Sequence, residues 1–493
     1  MAPGQGGHRG QVRGAGAVGG TLNYRHLISN LTIAVLAQGV SMIISLLTSL
    51  VAPKFLGVTE YGYWQLFIFY SGYVGLFLFG LNDGYYLVHG GESREAIDKH
   101  LYTSELFFSL ISQILISLLL VVGLNFFHFE YDRTFVIACV AIYLIFNNLS
   151  GFIGYAFQAM NETKLFSYAT VLEKLVFCVP LVVLLILGCG DFRPYVLAYI
   201  IGKIGNFIYC LYKSRDLIAF GHYSLRDCAL VSFSSIRVGI KLTIANIASL
   251  LIVGIARFSV DMTWGVEAFG ALSISLSIVS FFITFISQAS MVLFPALRQT
   301  DSAEQKNTFV NLRKVLTLFL PLSYLVGIPV AKLLGMWLPQ YQTAMHYLVL
   351  LMPMFVYEAK MDLNCTTFLK VLREEDKLLR INIAVVVLSA VATFININLL
   401  ASLDAISIGI TLCVIARNVI AEHVVSKSFQ VPFLDRLEKW GLLLTVLYLL
   451  FVCWLGDLLS IICIGILLAI YYFMFRDEIA RVAHSFKRVA SSR

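Results

Sequence analysis

The sequence predicts an all-α polytopic membrane protein of about fourteen transmembrane helices. Two six-helix bundles related by a pseudo-two-fold axis along the membrane normal are expected, with two additional helices at the C-terminal end. Three observations predict this: the long apolar runs, the sidedness of the basic residues between them, and an internal repeat. Of the 493 residues 59% are hydrophobic and only 13% are charged, with a mean hydropathy of +0.83. Soluble domains carry about twice that share of charge, and a water-soluble fold cannot hide so much apolar surface. The ten prolines and 35 glycines are dispersed through the apolar runs, as membrane helices tolerate when neighbouring helices satisfy freed backbone groups.

A hydrocarbon core about 30 Å thick needs roughly 20 apolar residues per helix. Runs of that kind fall at 27–52, 62–84, 101–124, 134–157, 168–187, 194–212, 239–262, 270–295, 314–336, 344–369, 381–401, 404–425, 438–456 and 458–475. The expected organisation is a flexible cytoplasmic tail over 1–26, an N-terminal six-helix bundle over 27–212 and a cytoplasmic linker over 213–238. A second six-helix bundle follows over 239–425, then two additional helices within 426–475 and a cytoplasmic tail over 476–493.

Lys and Arg in short loops prefer the cytoplasmic side. With both termini inside, 27 of the 36 fall on inner segments and four on outer loops, namely Lys54, Arg133, Arg193 and Lys332. The expectation is therefore a multi-pass membrane protein with both termini cytoplasmic. Trp64, Trp264, Trp337, Trp440 and Trp454 all sit near ends of these spans, where an interfacial belt is expected.

The repeat is visible as Leu31-Thr32-Ile33-Ala34 opening the first span and Leu242-Thr243-Ile244-Ala245 opening the seventh. The same spans leave through Gly57-Val58-Thr59-Glu60-Tyr61-Gly62 and Gly265-Val266-Glu267-Ala268-Phe269-Gly270. Between these anchors the offset changes by only three residues. Six spans per half is an even number, so both halves have the same orientation, a parallel repeat.

Several function classes are excluded. The net charge of +7 comes from residues scattered over short loops, so no nucleic-acid partner is expected. The nine cysteines show no CxxC or metal spacing and mostly lie in apolar runs, where Cys acts as a small hydrophobe. Neither disulfides, metal nor cofactor is expected. Gly14 to Gly19 spell GxGxxG, but no strand precedes them and the surrounding residues are Gly-rich and basic, so the match is low complexity. That basic stretch has no apolar region of the signal-peptide kind.

The stretch Ala52-Pro53-Lys54-Phe55-Leu56-Gly57-Val58-Thr59-Glu60-Tyr61-Gly62, with an aromatic-rich second helix ending in Gly80-Leu81-Asn82-Asp83-Gly84, resembles the polysaccharide transporter family. These are the O-antigen and exopolysaccharide repeat-unit flippases of the multidrug/oligosaccharidyl-lipid/polysaccharide exporter superfamily. The resemblance extends along the chain in span count, in the six-plus-six repeat and in the two extra helices. It implies a flippase, not an enzyme, that moves a polyprenyl-diphosphate-linked oligosaccharide from the cytoplasmic to the outer leaflet by alternating access. Membrane lipid, H+ or Na+ as coupling ion and the polysaccharide polymerase machinery are the implied partners.

A charge near the bilayer centre costs at least about 2.5–3.5 kcal/mol, so each needs a partner or a wet cavity. Five cations lie inside spans: Lys174, Lys203, Arg257, Lys360 and Arg417. They are divided between the halves, as residues gripping an anion from both sides of a cleft would be, and are the candidate substrate-binding residues. Alternatives are open for most. Arg257 and Asp261, four apart on one helical face, can pair with each other. Lys174, next to Glu173, can snorkel to the cytosol, and Arg417 with Glu422 can anchor a helix end. Lys203 has no acid within a turn of its own helix and is the strongest candidate. Glu358 and Asp362 share a face, with Lys360 about 200° from Glu358; the two acids are candidates for ion coupling. Asp83 is either a gate or, with Gly80 and Gly84, part of a tight helix contact.

A drug or cation antiporter of the multidrug and toxic compound extrusion type is the alternative within this fold, and the five cations argue against its acidic cavity. A membrane enzyme of polysaccharide assembly needs a reaction centre, yet the outer loops are short and the sequence contains no P-loop, HExxH or GxSxG. A scaffold role explains the topology but leaves the cations without a purpose.

Overall fold

A computed structural model describes residues 39, 42–219, 221, 223–298 and 300–481. Among these residues every predicted span coincides with helix. In chain order α1 is Met42–Phe55, α2 Val58–Leu78 with Leu81–His89, and α3 Lys99–Phe126. Next come α4 Tyr131–Ala159, α5 Thr163–Ile186 and α6 Phe192–Ser214. The second half holds α7 (225–264), α8 (266–297), α9 (Ser302–Phe319 with Leu322–Trp337) and α10 (342–371). It continues with α11 Glu375–Ile395 and α12 Leu403–Ser428. The last two are α13 Arg436–Trp454 and α14 Asp457–Met474. The first repeat anchor, Leu31 to Ala34, lies outside the described residues. Helix α7 begins at Leu225, so much of the segment expected as a linker is helical.

Local sequence explains where several helices begin. Asp98, Asp191 and Asp301 accept hydrogen bonds from the first backbone N–H groups of α3, α6 and α9, groups with no partner inside a helix. Asp435 and Glu438 form a reciprocal capping box at the start of α13. Between α7 and α8 the chain stays helical on both sides of Gly265, whose φ of 80° and ψ of −178° suit glycine alone. The chain reverses there. Arg257 and Ser273, 16 residues apart, are hydrogen-bonded, whereas a straight helix would separate them by about 24 Å.

Helices α3 to α6 pack on one another, and α7 and α8 pack with α10 to α12; α2 packs on α4 and as extensively on α7 and α8, while α13 and α14 lie against α9 and α10. Where the halves meet, residues related by the repeat touch each other. The Thr59 hydroxyl donates to Glu267 Oε1 at 2.6 Å, and Gly62 packs on Gly270 so closely that a Cβ on Gly270 would lie 2.9 Å from the Gly62 Cα. Equivalent residues meet only beside the axis relating them, so the pseudo-two-fold passes through this contact. At the other end of α2, Gly80 and Gly84 lie against Gly239 and Ser235 of α7 with equally little room.

A buried charge cluster joins α13 to the core. Arg313 of α9 sits 3.1 Å from Glu438 and 3.7 Å from Glu422, and Lys360 is 3.5 Å from Glu422. One expectation from sequence is corrected here: Trp64 is no interfacial residue. It is 2% exposed and packs among Phe67, Phe177, Tyr195 and Tyr199, because α2 lies inside the bundle.

The contact at the axis is testable. A Cβ on Gly62 would sit 2.4 Å from the Val266 carbonyl oxygen, while one on Gly75 would meet nothing within 4 Å. Gly62→Ala should therefore cost about 1–3 kcal/mol and lower the melting temperature in detergent. Gly75→Ala should leave it nearly unchanged.

Candidate functional site

Between the halves lies a cavity of about 320 Å³, walled by α2 on one side and by α7, α8, α10 and α12 on the other. Its charged lining is Arg257, Glu358 and Arg417, with Ser249, Ser280 and Tyr73 beside them. Arg417 is saturated. Its Nη1 lies 3.1 and 3.2 Å from the Glu358 oxygens, its Nε donates to Asn382 Oδ1 at 3.0 Å and its Nη2 to Ser249 Oγ at 2.8 Å.

Arg257 is different. Its Nη2 donates to Ser273 Oγ at 2.9 Å, and its guanidinium rests 4.8 and 5.0 Å from the rings of Phe69 and Phe269. No carboxylate pairs with it among the described residues, and its Nε has no hydrogen-bond acceptor. The acid four residues on, Asp261, is held elsewhere. Arg133 at the start of α4 takes both its oxygens, at 2.5 and 2.7 Å. The cavity wall thus carries one uncompensated positive charge.

A second cavity of about 240 Å³ adjoins the first, sharing Ile68 and Ser280, and is walled by α1, α2, α5, α6 and α8. It is rich in hydroxyls, among them Ser45, Thr48, Ser277 and Tyr199, with the amide of Gln65 beside them, and its cation is Lys174. The Lys174 ammonium lies 3.9 Å from Glu173 and 5.7 Å from the Tyr199 ring. Of the eight candidates from sequence, Arg257, Arg417 and Glu358 are brought together, and Lys174 lies in the neighbouring chamber.

The other four point elsewhere. Lys203 is bound to Glu173 of α5 at 2.7 Å, and Asn206 donates to the same oxygen. Its partner comes from another helix, which a search within its own turn misses. Lys360 faces Glu422, opposite to Glu358, as their spacing requires. A π-helical turn at Met361–Thr366 follows it, so the helix widens without unwinding. Asp362 accepts a hydrogen bond from Ser287. Asp83 accepts one from Thr243 at 2.7 Å, beside the close contact of Gly80 and Gly84 with α7. Sequence reasoning also missed Glu105, fully buried and bonded to Ser235 at 2.6 Å.

The end assigned outside by the basic residues is stitched shut across the halves. Besides Arg133 with Asp261 and Thr59 with Glu267, Tyr341 donates to the carbonyls of Leu56 and Gly57. Trp337 Nε1 donates to that of Leu50 while Lys54 lies 3.4 Å over the Trp337 ring.

The Lys203–Glu173 pair yields a direct test. Lys203→Ala strands a buried carboxylate and should destabilise the protein by about 3 kcal/mol, the low end for a broken buried pair because Lys174 remains near. Lys203→Met combined with Glu173→Gln should recover most of the loss in thermal melts. Equal melting of Lys203→Ala and wild type would show that this pair holds nothing.

Residues 27–301 match the model of a family described as polysaccharide biosynthesis protein. Among solved structures, the lipid II flippase MurJ in an inward closed conformation matches with a TM-score of 0.57 at 11% identity. The alignment covers 91% of this chain and 100% of that one. An inward-facing multidrug resistance MATE family transporter of the MOP superfamily matches at 0.56 and 14%, covering 84% and 99%. A MATE structure in the straight conformation gives 0.52 and 14%, covering 83% and 96%. At such identities the likeness is one of fold. No curated protein matches the chain in sequence.

Proposed function

From the premise that the chain belongs to the polysaccharide biosynthesis protein family, with the fold of a multi-pass MOP-superfamily transporter, we propose that it flips a polyprenyl-diphosphate-linked oligosaccharide from the cytoplasmic to the outer leaflet of a bacterial inner membrane. The observation that carries the reading is Arg257, a cation in a cavity between the halves with no carboxylate partner among the described residues. An unpaired charge in a low dielectric is costly, and a diphosphate supplies the missing partner. Lys174 flanks the headgroup from the N-terminal half, and the hydroxyls and the Gln65 amide of the adjoining chamber suit a sugar. The prenyl chain stays in lipid, since withdrawing it would cost about 0.8 kcal/mol per CH₂. An apolar groove of about 440 Å³ shares Phe69, Tyr73 and Gly254 with the cavity wall and accommodates the chain's first units.

Transport then consists of the bundles 27–212 and 239–425 rocking about the axis contact, with the 426–475 helices outside and both termini cytoplasmic. Glu358, paired to Arg417 across the cavity wall, is the carboxylate placed to couple this motion to H+ or Na+. The repeat unit, of the O-antigen or exopolysaccharide kind, would pass to polymerase machinery at the outer face. Extrusion of cationic drugs by this cavity is disfavoured, because its one acidic group is already neutralised by Arg417.

At matched expression, Arg257→Ala should abolish glycan export while the lipid-linked unit accumulates on the cytoplasmic leaflet. It should also lose binding of inorganic pyrophosphate by the solubilised protein. Arg257→Lys should retain part of both, since it keeps the charge and loses the planar fork. Normal export by Arg257→Ala would end this reading; resistance to a cationic drug that disappears in Glu358→Gln would favour the exporter. Orientation has its own test: a cysteine at Ser224, in a cysteine-less background, should react with an impermeant maleimide only after the membrane is opened.

A further inference from the structure

Asp261 is a carboxylate with two possible cationic partners on opposite sides of the moving interface. In this structure it is 2% exposed and both its oxygens are taken by Arg133, which belongs to α4 of the first half. Arg257 belongs to the same helix as Asp261, one turn nearer the cavity, and residues at i and i+4 are neighbours on a helix surface. The two partners differ in what happens to them when the halves separate on the outer side. Arg133 leaves with its own half; Arg257 cannot leave, because α7 carries it together with Asp261.

We propose that Asp261 is a switching carboxylate, bound to Arg133 while the outer rim is closed and to Arg257 once it opens. This rests on the reading of Arg257 as the cation that holds the diphosphate, and it adds how that hold is released. With the rim open, the guanidinium one turn away on the same helix is the cation that stays beside Asp261, and the carboxylate pairs with it. Arg257, held meanwhile among the described residues by the neutral hydroxyl of Ser273 and two aromatic faces, gives up a phosphate more readily when a carboxylate of its own helix replaces it. Affinity is high with the rim closed and low with it open. The same ion pair that closes the gate sets the charge of the site, so the anion is released on the outer side without a separate trigger. Asp261 is thus a positioning residue, acting on the substrate through Arg257.

Two sets of variants test this in the full-length protein. In the first, inorganic pyrophosphate is titrated calorimetrically into detergent-solubilised protein. Arg133→Ala, which removes a residue absent from the cavity wall, should weaken binding on the order of tenfold, and Arg133→Lys should not. Unchanged affinity in Arg133→Ala would overturn the proposal. In the second set, export is measured at matched expression. Arg133→Asp with Asp261→Arg restores the gate pair with reversed polarity but leaves nothing to neutralise Arg257. It should bind pyrophosphate like wild type and fail to export. Arg133→Gln with Asp261→Asn keeps a neutral hydrogen-bonded gate, leaves no buried charge to threaten folding, and should show the same split between binding and export. Wild-type export by either double variant would show that Asp261 is a gate residue and nothing more. The parent reading fails separately, if pyrophosphate binding does not depend on Arg257 at all.

Discussion

A charge cannot be left alone in hydrocarbon, and most of what is specific about this molecule follows from how each embedded charge is answered. Lys203 is answered by Glu173, Arg417 by Glu358, Lys360 by Glu422. These pairs join helices α5 to α6 and α10 to α12, and the Arg313 cluster brings in α9 and α13. Each pair fixes the rotation of two helices about their own axes, because breaking a buried pair costs about 3–5 kcal/mol. Against that background Arg257 stands out, since the one acid on its own helix face is drawn away by Arg133. Its lack of a carboxylate partner among the described residues therefore follows from a competition for Asp261 that Arg133 wins.

The second determinant is geometric. Helix α2 lies against α7 and the start of α8 along much of its length, and the chain allows this by placing glycine on one or both sides of several contacts: Gly62 with Gly270, Gly80 and Gly84 with Gly239, Gly254 under Tyr73. Small residues let backbones approach where no hydrophobic force drives helices together. Around these close contacts the chamber walls carry large aromatic residues, Phe69 and Tyr73 in the one that Arg257 lines and Trp64, Phe177 and Phe281 in the one that Lys174 lines.

The architecture was largely legible in the sequence because the bilayer imposes it. Helix length, loop charge and the repeated turn at Gly57 and Gly265 are each local signals. Relative directions along one helix were legible too: Glu358 and Lys360 point to opposite sides, as 100° per residue requires. Partners across helices were not. Nothing local to Lys203 signals Glu173, 30 residues earlier, and nothing near Asp261 signals Arg133, 128 residues away. Such pairs depend on helix rotation, which packing decides. Trp64 misled for the same reason, since position along a helix says nothing of which face meets lipid.

The Thr59–Glu267 hydrogen bond bears on how such a chain could arise. In a symmetric dimer of half-length chains, a residue beside the two-fold axis meets its own copy, so a glutamate there would oppose a glutamate and a threonine a threonine. Each change at that place would be made twice. Once duplication and fusion put both copies in one chain, the two positions are free to diverge. A hydroxyl facing a carboxylate is a complementary pairing that identical subunits cannot make at equivalent positions. At this one contact of the rim, unlike residues meet at like places.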